Sequence, residues 1–193
     1  MTDKMVNGIL FIIAGLGPVA VYIGLGPDGT GILNNAQTEK IAAYILFTIP
    51  LAFMMTRNVE RNNFIDAGFL IIVVAWSAGI VSDAITGAEL SAESDAIGKA
   101  IAPTAWSSMF LGIFITGIGY FRSNLFPQWL SGLLSIASLV AFASMAIMSS
   151  EQISNNENIV APLWMSVMIV LVIVGIFTMV RKETDQTSKT EAG

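Results

Sequence analysis

The chain has no cysteine and no histidine. Without cysteine there is no disulfide, no thiolate nucleophile and no Cys-ligated cluster. Without histidine the commonest general base, the usual ligand for copper, iron, zinc or haem, and every Ser-His or Cys-His pair are missing. No lysine lies inside an apolar run, so a retinal Schiff base has no anchor. No cofactor and no metal are expected from this residue set, and it points away from an enzyme. Charge is also scarce. Charged residues make up 12% of the 193 positions, against roughly 25% in soluble domains. The net charge of −5 argues against nucleic acid, which calls for a basic patch.

What is present is apolar sequence in long runs. Residues 5–27, 41–56, 67–82, 100–121, 123–150 and 158–180 contain no charged side chain. A membrane-spanning helix needs about 20 predominantly apolar residues. The expected fold is therefore all-α: a polytopic bundle of six transmembrane helices near 6–25, 41–55, 64–82, 103–121, 128–149 and 160–180. Flanking Lys40, Arg57 and Asp66 can serve the two shorter runs by snorkelling or by helix-end placement. One bundle occupies residues 1–182, and 183–193 reads as a disordered polar tail. The first run is too long and glycine-rich for a signal core, and no Ala-x-Ala-like site follows it, so a retained helix is expected.

Orientation follows from the basic residues. With a cytoplasmic amino terminus, Lys4, Arg57, Arg61, Arg122, Arg181, Lys182 and Lys189 lie inside, and Lys40 and Lys99 outside. That distribution satisfies the positive-inside rule, with both termini cytoplasmic and the plasma membrane as the expected location.

Small residues mark the helix faces. Gly68, Ala75, Gly79 and Ser82 recur at helical spacing in the third span, and Ala105, Ser108, Gly112, Thr116 and Gly119 in the fourth. Ser131, Ser135 and Ser138 share a face of the fifth. In lipid such stripes let helices approach closely, and the fourth and fifth spans are expected to pack on each other through them. Pro18 and Pro50 predict bends in the first two spans. The sixth span, rich in Val, Ile, Leu and Met, is expected to face lipid or a partner.

Few ionisable groups adjoin the membrane. Asp66 follows Asn63 as a first-turn acid beside a helix start. It is a candidate ion or proton contact, with pairing to Arg57 or Arg61 the competing and favoured role. The acidic stretch 83–102 places Leu90, Ile97 and Ile101 on one helical face, which predicts a short amphipathic helix on the membrane surface. It contains no calcium-loop pattern. The turn Gly26-Pro27-Asp28-Gly29-Thr30-Gly31 lacks the lysine and Ser/Thr of a phosphate loop.

Between the fourth and fifth spans lies Arg122-Ser123-Asn124-Leu125-Phe126-Pro127-Gln128-Trp129, a hinge with a snorkelling base and an interfacial aromatic. Phe110-Leu111-Gly112 through Gly119-Tyr120-Phe121-Arg122-Ser123 to Leu125-Phe126-Pro127-Gln128-Trp129-Leu130-Ser131-Gly132 resembles a pattern in uncharacterised prokaryotic multi-helix membrane proteins. Those proteins read as a glycine-rich helix, Arg-Ser, then Leu-x-Pro-x-Trp-Leu-Gly; here Ser131 precedes the glycine. The resemblance implies a six-helix membrane protein and supplies no catalytic residue. The function expected is a non-catalytic integral subunit or scaffold, with the lipid bilayer and other integral subunits, or further copies of itself, as partners. The alternative is a small-solute transporter or channel, supported by Pro18, Pro50, Thr48, Trp76, Ser77, Ser107 and Thr116.

Overall fold

The computed structural model describes residues 1–27, 29–88 and 90–181, and the tail expected at 183–193 lies outside them. Among the described residues the secondary structure is helical, without a strand. The helices are α1 (Asp3–Ala20, continued by a π-helical turn at Val21–Leu25), α2 (Asn35–Leu46), α3 (Thr48–Val59), α4 (Asn63–Thr86), α5 (Ala92–Ser123), α6 (Gln128–Ala146), α7 (Ser150–Asn155) and α8 (Glu157–Val180). Among the described residues, six helical segments are long and apolar enough to cross a membrane, α2 and α3 together forming the second.

The local sequence accounts for the starts and breaks. Asn34, Ser91 and Ser149 open α2, α5 and α7 with reciprocal capping boxes. Asn62 caps α4 by accepting from the amides of Phe64 and Ile65. Pro50 cannot donate to the carbonyl of Leu46, and the helix breaks at Phe47, where α2 gives way to α3. Pro18 stays inside α1, and the register loosens to π-helix directly after it. Asn124 takes the left-handed conformation that ends α5, with φ of 55°.

α5 overturns the expectation of a separate amphipathic surface helix. Residues from Ala92 onward run unbroken through Pro103 into the span, a single helix of 32 residues. At 1.5 Å per residue that is about 48 Å, well beyond the roughly 30 Å hydrocarbon core. The helix is therefore longer than a span needs, and its first turns carry the acidic Glu93 and Asp95. Proline deprives the Lys99 carbonyl of its helical donor, and the Ser150 hydroxyl donates to that carbonyl instead.

Glycines set the closest contacts. A Cβ on Gly112 would sit 2.8 Å from the Gly68 carbonyl oxygen, and one on Gly68 would sit 2.6 Å from that of Gly112. α4 and α5 thus meet backbone to backbone. Further along the same seam, Gly119 abuts Ile65 and Asn62, Gly98 abuts Ser82, and Gly79 lies against the Trp106 ring. The Gly112 stripe consequently belongs to α4, not to α6 as expected. α6 meets α5 through a different face, where Gly117 lies against Ser135. Spacing reveals that a face is small, but it does not say which neighbour uses it.

The sixth span leaves Ile159, Ile169, Ile176 and Val180 exposed, the side expected to face lipid or a partner, but its other side is packed. α8 buries Val167, Met168, Val170, Leu171, Val174 and Thr178. It packs on α1, where Gly8 and Gly175 each touch the other's backbone carbonyl. The glycines of α1 supply the flat surface that the branched side chains of α8 lack.

Candidate functional site

The polar side chains gather at the two ends of the bundle. At the end where α1 begins, Lys4 Nζ donates to the Arg181 carbonyl at 3.3 Å, joining α1 to the end of α8. Asp66, in the first turn of α4, accepts from Arg57 Nε at 2.5 Å and Arg61 Nη2 at 3.2 Å, one on each carboxylate oxygen. The Arg57 guanidinium also lies 5.5 Å from the Phe69 ring centre. Both oxygens of the candidate proton contact are therefore engaged by arginine. Arg122 stacks over Phe64 at 5.0 Å, and the Asn62 amide donates to the Gly119 carbonyl at 3.1 Å.

One turn deeper lies a small polar group that sequence reasoning did not single out. Asn7 Nδ2 donates to Thr56 Oγ1 at 2.9 Å, and Thr56 donates to the Ala52 carbonyl at 2.9 Å. Tyr120 is fully buried, stacked on Phe53 with ring centres 6.2 Å apart, and its hydroxyl lies close to Thr56. Neither the Tyr120 hydroxyl nor Asn7 Oδ1 makes a hydrogen bond among the described residues. The available signal was Asn7, a lone amide inside an otherwise apolar run.

At the opposite end Glu39 of α2 lies near Asp83 of α4 and near Asp95 and Lys99 of α5. Asp95 pairs with Lys99 at 2.7 Å, one helical turn apart. Asp83 sits beside the Trp106 indole. No group of three metal-ligating side chains occurs among the described residues.

Between the ends the interior is apolar. Phe11, Ile49, Phe53, Ile72, Met109, Phe110 and Ile113 are completely buried. Trp76 is half-buried against Phe47, with ring centres 4.5 Å apart. Thr116 sits in the α4–α5 seam and turns its hydroxyl to the Gly112 carbonyl of its own helix. Ser77 does the same to Val73 from an exposed position.

The stripe residues divide accordingly. Gly68, Gly79, Gly112 and Gly119 make close interhelical contacts. Ala75 is buried in the core, while Ser108 is only half-buried and Ser107 takes the inward position. Ser131, Ser135 and Ser138 are buried, but they do not join α6 to α5 by hydrogen bonds. Ser135 bonds the Ser131 carbonyl within its own helix, and the hydroxyls of Ser131 and Ser138 have no hydrogen bond among the described residues. No known protein family, curated protein or solved structure matches this chain.

Proposed function

We propose that the chain is a non-catalytic integral membrane subunit, a helical scaffold that packs within a larger membrane assembly. The observation that carries this reading is the apolar layer of Phe11, Phe53, Ile72, Met109, Phe110 and Ile113, all fully buried. It separates the Asn7–Thr56–Tyr120 group from the Glu39–Asp83–Lys99 group. A transporter of polar solutes needs binding groups near the midplane and a route between the two ends. Here aromatic and branched side chains occupy that level, and the mid-span hydroxyls of Thr116 and Ser77 are committed to their own helices.

The same proposal places the protein in the plasma membrane with both termini in the cytoplasm. Its support is the concentration of Lys4, Arg57, Arg61, Arg122 and Arg181 toward one end, against Lys40 and Lys99 toward the other. Extraction of the native membrane in mild detergent tests the subunit role. The chain should run in a complex that contains other integral proteins at fixed stoichiometry. A lone species through the whole preparation would contradict the reading and favour a self-contained transporter.

A further inference from the structure

Glu60, Asn62, Asn63, Phe64, Arg122 and Ser123 line an open depression of about 410 Å³ where α3, α4 and α5 end together. The depression carries one carboxylate and one guanidinium, and neither is paired with an opposite charge among the described residues. Arg122 is held over the Phe64 ring at 5.0 Å, which fixes its planar fork without using its N–H donors. The Asn62 side-chain oxygen Oδ1 already accepts from the amides of Phe64 and Ile65, so the start of α4 offers little further anion binding. The recognition chemistry rests with Arg122 and Glu60, supported by the exposed amide of Asn63.

We propose that this depression seats the headgroup of an aminophospholipid, with the phosphate on Arg122 and the primary ammonium on Glu60. A guanidinium that does not neutralise the carboxylate in the same hollow is complementary to a ligand carrying both charges. A purely anionic headgroup would meet Glu60 unfavourably. The site lies where candidate spans end at Val59, Asn63 and Ser123, the depth at which lipid headgroups lie. Exposed Phe121 and Val59 adjoin it in sequence and offer apolar surface for an acyl chain.

The test uses the full chain in detergent, with lipid retention read by native mass spectrometry and by melting temperature. The probes are phosphatidylethanolamine, phosphatidylglycerol, phosphatidylcholine and soluble phosphoethanolamine. The parent should retain phosphatidylethanolamine over phosphatidylcholine, whose quaternary ammonium cannot donate to Glu60. Arg122→Gln should weaken retention of phosphatidylethanolamine about tenfold, as loss of one charge-assisted hydrogen bond implies. Glu60→Gln should erase the preference for phosphatidylethanolamine over phosphatidylglycerol while leaving the fold intact. Undiminished retention by a folded Arg122→Gln protein would overturn the site, as would equal retention of all three lipids by the parent. Equal stabilisation by soluble phosphoethanolamine would overturn the lipid as occupant.

Discussion

Ser150 donates its hydroxyl to the carbonyl of Lys99, the acceptor that Pro103 leaves without a helical amide. The gap that Pro103 leaves in α5 is thereby filled from the start of α7, which is tied to α5. Ser150→Ala should cost about 0.5–1.5 kcal/mol in the parent, the usual net worth of one such bond. In a Pro103→Ala background the new alanine amide can take the carbonyl, so the same substitution should cost markedly less. A double-mutant cycle on detergent melting measures the difference. Equal costs in both backgrounds would show that the hydroxyl does not substitute for the missing amide.

The Gly68–Gly112 contact makes a sharper demand. Gly112→Ala places a Cβ 2.8 Å from the Gly68 carbonyl oxygen and from the Ile72 amide nitrogen, both backbone atoms that cannot swing aside. Separation of α4 from α5 should cost about 1–3 kcal/mol. Gly132→Ala on α6 meets nothing within 4 Å, and better helix propensity should leave it neutral or stabilising by up to about 1 kcal/mol. Thermal unfolding of the two variants beside the parent should rank them in that order.

The buried Asn7–Thr56–Tyr120 group separates a bond from an orphan. Thr56→Val removes the acceptor of Asn7 and should cost about 1–3 kcal/mol through the amide left unpaired. Tyr120→Phe deletes a hydroxyl that has no hydrogen bond among the described residues. It should leave stability unchanged or raise it by up to about 1 kcal/mol. A clear loss on Tyr120→Phe, read by melting temperature, would mean that the hydroxyl is engaged.

Asp66→Asn should lower the melting temperature slightly, because Arg57 and Arg61 then lose their shared partner. The group is partly open to solvent, so the effect should shrink as salt rises from about 0.05 to about 0.5 M. A salt-independent loss would point to a packing role for the carboxyl group.

The natural absence of cysteine gives a clean background for orientation. With the amino terminus inside, a cysteine at Asn155 should react with an impermeant thiol reagent on intact cells. One at Asn58, exposed at the end of α3, should react only after permeabilisation. The reverse pattern would invert the topology.

Six apolar spans were legible because a charge-free run of sufficient length has few other uses. The Arg57–Asp66 pair was legible as well, since nine residues and one helix start separate its members. Partner choice was not. Gly112 and Gly117 are both small and five positions apart, yet one faces α4 and the other α6. Only the three-dimensional arrangement assigns them. Where α5 runs through Pro103, the Lys99 carbonyl is taken by Ser150, a donor 47 positions beyond the proline in the chain, and no local pattern shows that pairing. Tyr120 escaped notice because its neighbours Asn7 and Thr56 come from α1 and α3, and no local spacing records that meeting.

The central claim is that the apolar layer around Phe11, Phe53 and Phe110 seals the bundle, so that the chain supports an assembly instead of conducting. Flux across liposomes containing the purified protein tests this most directly, with protons, monovalent ions and small neutral solutes followed in turn. The account predicts rates equal to those of protein-free liposomes for every probe. Saturable flux of any one of them, abolished by Phe53→Trp in a folded protein, would contradict it.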